Sequence, residues 1–241
     1  MKAYTPQLWN FGPKSKLVIL TGAGISAESG IRTFRDSGGL WEDHRVEDVA
    51  TPEGFARNPG MVIEFYNQRR LELSHVRPNP AHEAIACLGN RLAERLLLVT
   101  QNIDNLHERG GSKQVEHMHG ELLKLRCLRD ERHVIDFAGV QNIDFPCPQC
   151  GAKMRPHIVW FGEIPFDMDA IQDALQCCTH FVFVGTSSQV YPAAGFRKVA
   201  KAVGAKVLCI NLEVEADDPY TDLIIQGKAG IEVPLWVDSM P

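Results

Sequence analysis

The sequence predicts an α/β fold built on a doubly wound parallel sheet, and three observations carry that prediction. Short apolar runs rich in branched residues recur at 17–20, 96–99, 181–184 and 207–210. Each is too short for a buried helix and too uniformly apolar for a strand with one wet face, so each reads as a strand buried on both faces. Helix signals fall between the runs, and strands that alternate with helices imply parallel pairing through crossovers. The runs also end in glycine or polar residues: Gly22-Ala23-Gly24, Gln101-Asn102-Ile103-Asp104, Gly185-Thr186-Ser187-Ser188 and Asn211-Leu212-Glu213. Ligands of open parallel sheets bind outside the carboxyl ends of the strands, so polar tips converging on one edge would frame a cleft for a dinucleotide.

Along the chain, residues 1–14 read as a strap over the first strand. After that strand, Gly22-x-Gly24 leads into a series compatible with a helix, whose N-terminus would offer N–H groups to a phosphate. A tight βα turn explains the glycines equally well. Ser26 and Ser29 add hydroxyls, and Thr33-Phe34-Arg35 adds an aromatic ring and a cation. The simple dinucleotide fingerprint is not met, because Ala27 stands where its third glycine would fall and no acidic residue ends a second strand about 20 residues on. The glycine-rich loop through Trp41 reads either as a mobile cover or as a surface loop anchored by that ring. Thr51-Pro52-Glu53 opens one helix, Pro59 to about Ser74 forms the next, and a third starts near Pro80. Val115–Glu121 reads as a short strand with His117 and His119 on opposite sides, one entering a site and the other facing solvent. His157–Glu163 reads as a returning apolar strand, Asp167–Cys178 and Pro192–Val203 as helices, and the tail after Gly230 as one strand or a small helix. The whole chain, 1–241, is predicted to be a single unit: a Rossmann-like part at 15–49, 76–122 and 157–235, a helical insert at 50–75 and a zinc-ribbon-like module at 123–156.

Hydrophobic content of 44% and charged content of 23% fit an ordinary globular chain. The net charge of −5 argues against an electrostatic grip on nucleic acid or anionic lipid. No secretory profile opens the chain and no apolar run approaches about 18 residues, so a cytoplasmic protein without a membrane span is expected. Of the seven cysteines, Cys147-Pro148-Gln149-Cys150-Gly151 forms a good metal knuckle. Its counterpart is incomplete: Cys127 has no cysteine three residues on, and Asp130 or His133 would have to complete a zinc sphere. A reduced cluster without metal is the alternative. A redox CxxC fits less well, because the pair does not open a helix after a strand.

Taken together, the Gly22–Ser26 and Gly30–Arg35 blocks, Thr100–Asp104, His117-Met118-His119-Gly120, Trp160-Phe161-Gly162-Glu163, Gly185–Ser187 and Asn211–Glu213 resemble the sirtuins, the NAD-dependent protein-lysine deacylases. The resemblance runs from about residue 15 to 230, with every block in family order. Ala50-Thr51-Pro52 and Phe65-Tyr66-Asn67-Gln68-Arg69-Arg70 resemble the class III members, which remove succinyl and related acidic acyl groups. Bacterial members often carry a similarly reduced cysteine set.

The resemblance implies that NAD is consumed and that zinc is structural. The acyl-lysine oxygen attacks the nicotinamide ribose, nicotinamide leaves and an alkylimidate forms. His119 then acts as general base on a ribose hydroxyl, which suits an imidazole whose ordinary pKa lies near neutrality. Water completes the reaction to free lysine and O-acyl-ADP-ribose. Asn102 and Asp104 would hold the carboxamide, Gln101 would orient the ribose, Phe34 would shield the reactive carbon, and Arg35 with the first glycine turn would hold phosphates. Gly185, Thr186 and Ser187, with Asn211, Leu212 and Glu213, would take the adenosine half. Ala23, Ser26, Glu28, Thr33, Trp41, Ile103 and Ala229 complete the expected nucleotide set, and Cys127, Cys147 and Cys150 the metal set. Val159, Phe161 and Gly162 would line an acyl-lysine tunnel and pair with substrate backbone. Tyr66 and Arg69, three apart on a helix, would grip a distal carboxylate, with Ala50 leaving room for a longer chain. Acylated proteins are thus the expected substrates, and the oligomeric state is open, with a monomer favoured. ADP-ribosyl transfer to protein, a non-catalytic NAD-binding module and a hydride-transfer dehydrogenase are the rival readings.

Overall fold

The computed structural model describes residues 2–32, 40–41, 44–187, 189–214 and 218–240. Thr33, Phe34, Arg35 and Ser188 lie outside the described residues, as does the side chain of Trp41. In chain order the elements are β1 (Lys2–Ala3), α1 (Pro6–Trp9), β2 (Leu17–Thr21), β3 (Leu40–Trp41), β4 (His44–Arg45), α2 (Val46–Val49), α3 (Pro52–Arg57), α4 (Pro59–His75) and α5 (Pro80–Leu92). There follow β5 (Leu96–Thr100), α6 (Leu106–Arg109), β6 (Glu116–His117), β7 (Gly120–Cys127), β8 (Val134–Asp136) and β9 (Met154–Ile158). The last are α7 (Met168–Cys177), β10 (His180–Val184), α8 (Phe196–Ala202), β11 (Lys206–Asn211), β12 (Leu223–Gln226) and α9 (Ala229–Asp238).

Seven strands form one sheet in the order β1-β12-β11-β10-β2-β5-β6, and every pairing in it is parallel. The pleat sorts the apolar runs onto two faces. Leu17, Ile19, Leu98, Val182 and Val184 pack with α5 and α9, joined by Trp9 and Trp236. Their neighbours Val18, Leu20, Val99, Phe181 and Phe183 pack with α7 and α8 through Ile171, Leu175 and Phe196. This two-faced burial is why these strands read as continuous apolar runs. Helix caps follow the sequence signals: Thr51 Oγ1 accepts from Gly54 N–H at 2.9 Å, and Asn79 with His82 forms a reciprocal capping box at the start of α5.

Three expectations need correction. The segment 2–14 is more than a strap over β2. Lys2 and Ala3 pair with Leu223 and Ile224 at the far edge of the sheet, and Trp9 sinks into the core. A two-residue strand leaves no periodic pattern to read. The segment after Gly22 is two single 3₁₀ turns, Ala23–Ile25 and Ala27–Ser29, rather than an α-helix. The third concerns His157–Glu163. The strand there is β9, which ends at Ile158 and belongs to a separate antiparallel sheet, β8-β7-β9. Arg155 and Pro156 break its apolar pattern, and Pro156 is tolerated because β9 is an edge strand.

α2, α3 and α4 form a helical layer over this smaller sheet, where Phe65, Tyr66 and Leu73 pack against Leu122, Ile158 and Trp160. Buried Arg70 ties the layers by donating to the carbonyls of Gly139 and Leu122 and to Asn67 Oδ1. Among the described residues, no helix is long and apolar enough to cross a membrane.

Candidate active site

The chain passes from β2 to β5 on one side and later returns through β10 to the other, so the order of strands reverses between β2 and β10. The loops leaving these two strands touch. Gly24 N–H donates to Gly185 O at 2.8 Å. A Cβ on Gly22 would stand 2.8 Å from Thr186 Cα, and Gly185, at φ +61°, would place one 2.4 Å from Ile25 N. These glycines are required by loop against loop, a reason that the turn motif alone did not disclose.

A cavity of about 560 Å³ opens at this switch point. Its first wall comes from β2 and its turn: Gly22, Ala23, Gly24, Ser26 and Glu28. The tip of β5 adds Gln101, Asn102, Ile103 and Asp104, and the tip of β10 adds Gly185, Thr186 and Ser187. Asn211 ends β11, Leu212 and Glu213 follow it, and Ala229 stands at the start of α9. His119, Ala50, Tyr66, Val159, Phe161 and Gly162 complete the lining. Of the candidates for the nucleotide and acyl-lysine whose side chains are described, only Arg69 is absent from the lining. It donates to Glu72 Oε1 at 2.8 Å and lies over the Phe65 ring. Gln189, Tyr191 and Lys228 also line the cavity and were passed over. Lys228 follows β12, whose four residues were too short to register as a strand with a meaningful tip.

Hydrogen bonds fix the tip of β5. Asn102 Nδ2 donates to Gly22 O and to Ser26 Oγ, both at 3.2 Å. Ser26 Oγ donates to Asp104 Oδ2 at 3.1 Å, and Leu106 N–H to Asp104 Oδ1 at 3.0 Å. With both amide hydrogens committed, Asn102 presents its Oδ1 as an acceptor. Burial raises the pKa of Asp104 against the lowering pull of those two bonds. Gln101 Nε2 bridges to Thr186 Oγ1 at 3.0 Å, tying the β5 and β10 tips together.

His119 Nδ1 lies 3.0 Å from Gln101 O. A carbonyl only accepts, so Nδ1 carries the hydrogen and Nε2 keeps its lone pair. Burial lowers the pKa of the ring, which holds it neutral near pH 7. Gly120, at φ +83°, makes this turn possible, because a Cβ there would stand 2.1 Å from His157 O. The expected separation of His117 and His119 by strand alternation was mistaken. Residues two apart on a strand share a face. They diverge because β6 stops at His117 and the chain turns before β7. His117 is buried, not solvent-facing.

The cysteine module supplies a second site. One donor atom each from Cys127, His133, Cys147 and Cys150 lies within 4.8 Å of all the others. Cys127 Sγ is 3.5 Å from Cys150 Sγ, and Cys147 Sγ is 3.6 Å from His133 Nδ1. Tetrahedral zinc with thiolate bonds of about 2.3 Å needs sulfurs about 3.8 Å apart, so the set fits structural zinc. Between the two candidates for the fourth ligand, the geometry takes His133. Asp130 instead receives the Arg132 guanidinium and stands 3.6 Å from His133 Nε2, on the far side of the ring.

The Sir2 family profile matches residues 22–192. A NAD-dependent protein deacylase of Vibrio cholerae is 54% identical over 231 residues, covering 95% of this chain and 94% of that protein. One from Bdellovibrio bacteriovorus is 53% identical over 228 residues, covering 92% and 94%. Among solved structures, a Sir2 homologue in complex with NAD superposes with a TM-score of 0.87 at 35% identity, covering 98% of this chain and 94% of that one. Another, bound to a myristoylated histone peptide, gives 0.70 at 34% identity, covering 94% and 91%. The chain belongs to the Sir2 family.

Proposed function

We propose that this protein is an NAD-consuming protein-lysine deacylase whose reaction is run from the shared cavity. One observation carries the reading: a neutral His119, bonded through its ring to Gln101 O and through its backbone oxygen to Val159 N–H, lines the same cavity as the strand tips and the 159–162 segment. NAD supplies an electrophilic ribose carbon with nicotinamide as its leaving group. Asn102 Oδ1 accepts from the carboxamide NH₂, and Asp104, buried beside it, fixes the pocket through Ser26. Gln101 orients the ribose and His119 Nε2 takes a proton from its hydroxyl. The Gly22–Gly24 turn and the start of α9 hold phosphates, and Thr186, Ser187, Asn211 and Glu213 hold the adenosine half. Thr33, Phe34, Arg35 and Trp41 keep the roles that the family resemblance gives them.

The acyl-lysine enters along 159–162. Val159 N–H already donates to His119 O and Phe161 N–H to Ala50 O, both at 2.9 Å, so this segment pairs with substrate backbone through its carbonyls. Ala50 leaves room for a longer acyl chain, and Tyr66 with Arg69, the latter released from Glu72, grips the distal carboxylate of a succinyl-type group. The Rossmann-like part, the helical insert and the zinc-ribbon-like module divide the chain near the boundaries given above, with Lys2–Ala3 added to the first and Gly120–Cys127 and Met154–Ile158 grouped in the smaller sheet. The substrates are acylated proteins, and the site is cytoplasmic.

Nicotinamide release with acetyl- and succinyl-lysine peptides tests the reading. Release that requires the acyl peptide is expected, whereas label passing from NAD to protein with acyl groups retained points to ADP-ribosyl transfer. Arg69→Met is expected to lower kcat/KM for the succinyl peptide at least 10-fold, roughly the worth of a charge-assisted pair, while sparing the acetyl peptide. Equal loss of both would count against the carboxylate role.

A further inference from the structure

Two residues before the base, His117 makes an arrangement that the chemistry above does not use. Its side chain is 7% exposed. Nδ1 lies 3.2 Å from the backbone oxygen of Asn102, and Nε2 lies 2.7 Å from Glu108 Oε1. A carbonyl and a carboxylate can only accept. A neutral imidazole has one N–H and serves one of them, whereas an imidazolium serves both. His119 has a single such acceptor and stays neutral. One turn of chain therefore holds two histidines in opposite charge states, each set by its acceptors.

We propose that His117 is a standing imidazolium that clamps the Asn102–Asp104 tip from behind and so positions the groups that bind the nicotinamide carboxamide. The connectivity supports a clamp. Asp104 caps α6 through Leu106 N–H, and Glu108 belongs to α6. The ring of His117 therefore ties both ends of the segment 102–108 to β6. It is a positioning residue and touches no substrate.

The surrounding charges favour the cation. Glu108 faces the ring from α6, Glu121 from β7, and Asp104 from the tip itself, and Glu116 precedes it on β6. The other titratable neighbours, His107 on α6 and His157 on β9, are held neutral by burial and contribute no opposing charge. Burial of His117 pulls its own pKa down, but the carboxylates outweigh this and the net direction is up. The clamp therefore persists to higher pH than an ordinary imidazole would allow, and it is released as pH rises and the ring loses its second proton.

Two measurements test this, and the activity arm alone rests on the proposed function. Side-chain ¹⁵N NMR of the full chain at pH 7 is expected to show both ring nitrogens of His117 protonated and His119 with one N–H. In Glu108→Gln, a change at a side chain 39% exposed, the titration of His117 is expected to fall by about one pH unit or more. The alkaline limb of kcat/KM for NAD should move down with it, and KM for NAD and the inhibition constant of nicotinamide should rise about fivefold, with kcat changed less. The acid limb, set by His119, should stay in place. A singly protonated His117 at pH 7, or an unmoved alkaline limb in Glu108→Gln with unchanged nicotinamide inhibition, would overturn the proposal. A wild-type protein that consumes no NAD would remove the proposed function, and the NMR result would still decide the charge of His117.

Discussion

His119 Nδ1 is committed to Gln101 O at 3.0 Å, and the other ring nitrogen is left to accept a proton. In its proposed role as base His119 works only while neutral, and burial moves its pKa below the ordinary 6.5. Activity limited by this group should thus hold down through pH 6.5 and fail at lower pH, as a pH profile of kcat/KM would show. A limb above 6.5 assigned to His119 would contradict the burial argument. At the metal site, His133→Asn should lower zinc retention about 10-fold or more against a chelator, and Asp130→Asn should lower it less, because His133 alone points a donor at the thiolates. Metal analysis after dialysis reads both. The residue types of these sites were legible: a histidine before glycine, an Asn-x-Asp tip, paired cysteines. Their orientation was not, since the stop of β6 after two residues and the choice between Asp130 and His133 depend on contacts across the fold.

Among elements, the segment after β9 shows how a wall of the cavity is held. Glu163 accepts from Arg126 at 2.9 Å, from Arg155 through both oxygens at 2.7 and 2.8 Å, and from Trp160 N–H at 2.8 Å. The Arg155 guanidinium also stacks 3.4 Å over the Trp160 ring, and Trp160 Nε1 donates to Tyr66 OH at 2.9 Å. Removing the carboxylate leaves two buried cations facing each other. Glu163→Gln should cost about 3 kcal/mol in a denaturant titration and raise KM for acyl peptide more than KM for NAD. Unchanged stability would mean that the pair is solvated and not structural. The buried parallel strands were readable because both their faces are apolar. β7 and β9 were harder: β7 mixes Lys124 and Arg126 into its eight residues, and β9 carries Arg155 and Pro156; Glu163 pairs with the two arginines and Glu121 with Lys124, partners that only the fold brings together.

At the scale of the whole molecule, the parallel sheet places the tips of β2, β5, β10 and β11 on one edge, and the smaller sheet brings His119 and 159–162 to face them. The gathering of polar tips on one edge was foreseen from the tips alone, but the strand order that sets the switch point, the contact of the two glycine loops and the packing of α9 behind them needed three dimensions. The same burial that builds this edge also encloses histidines. His82 is lowered to about 4 and His107 falls well below the ordinary value, both because burial disfavours the cation. The unfolded chain therefore binds protons that the fold refuses between pH 6.5 and about 4, so stability should be full above 6.5 and decline as pH falls through that window. Thermal melts across it should show a falling Tm, and a flat Tm would contradict the buried neutral state. The most direct test of the central claim is mass spectrometry of the products from an acyl-lysine peptide, with and without NAD, for the wild type and for His119→Ala. Equal amounts of free lysine peptide, nicotinamide and O-acyl-ADP-ribose are expected, only with NAD, with a loss of at least about 100-fold in the variant. Acyl loss without NAD, or wild-type turnover in the variant, would contradict it.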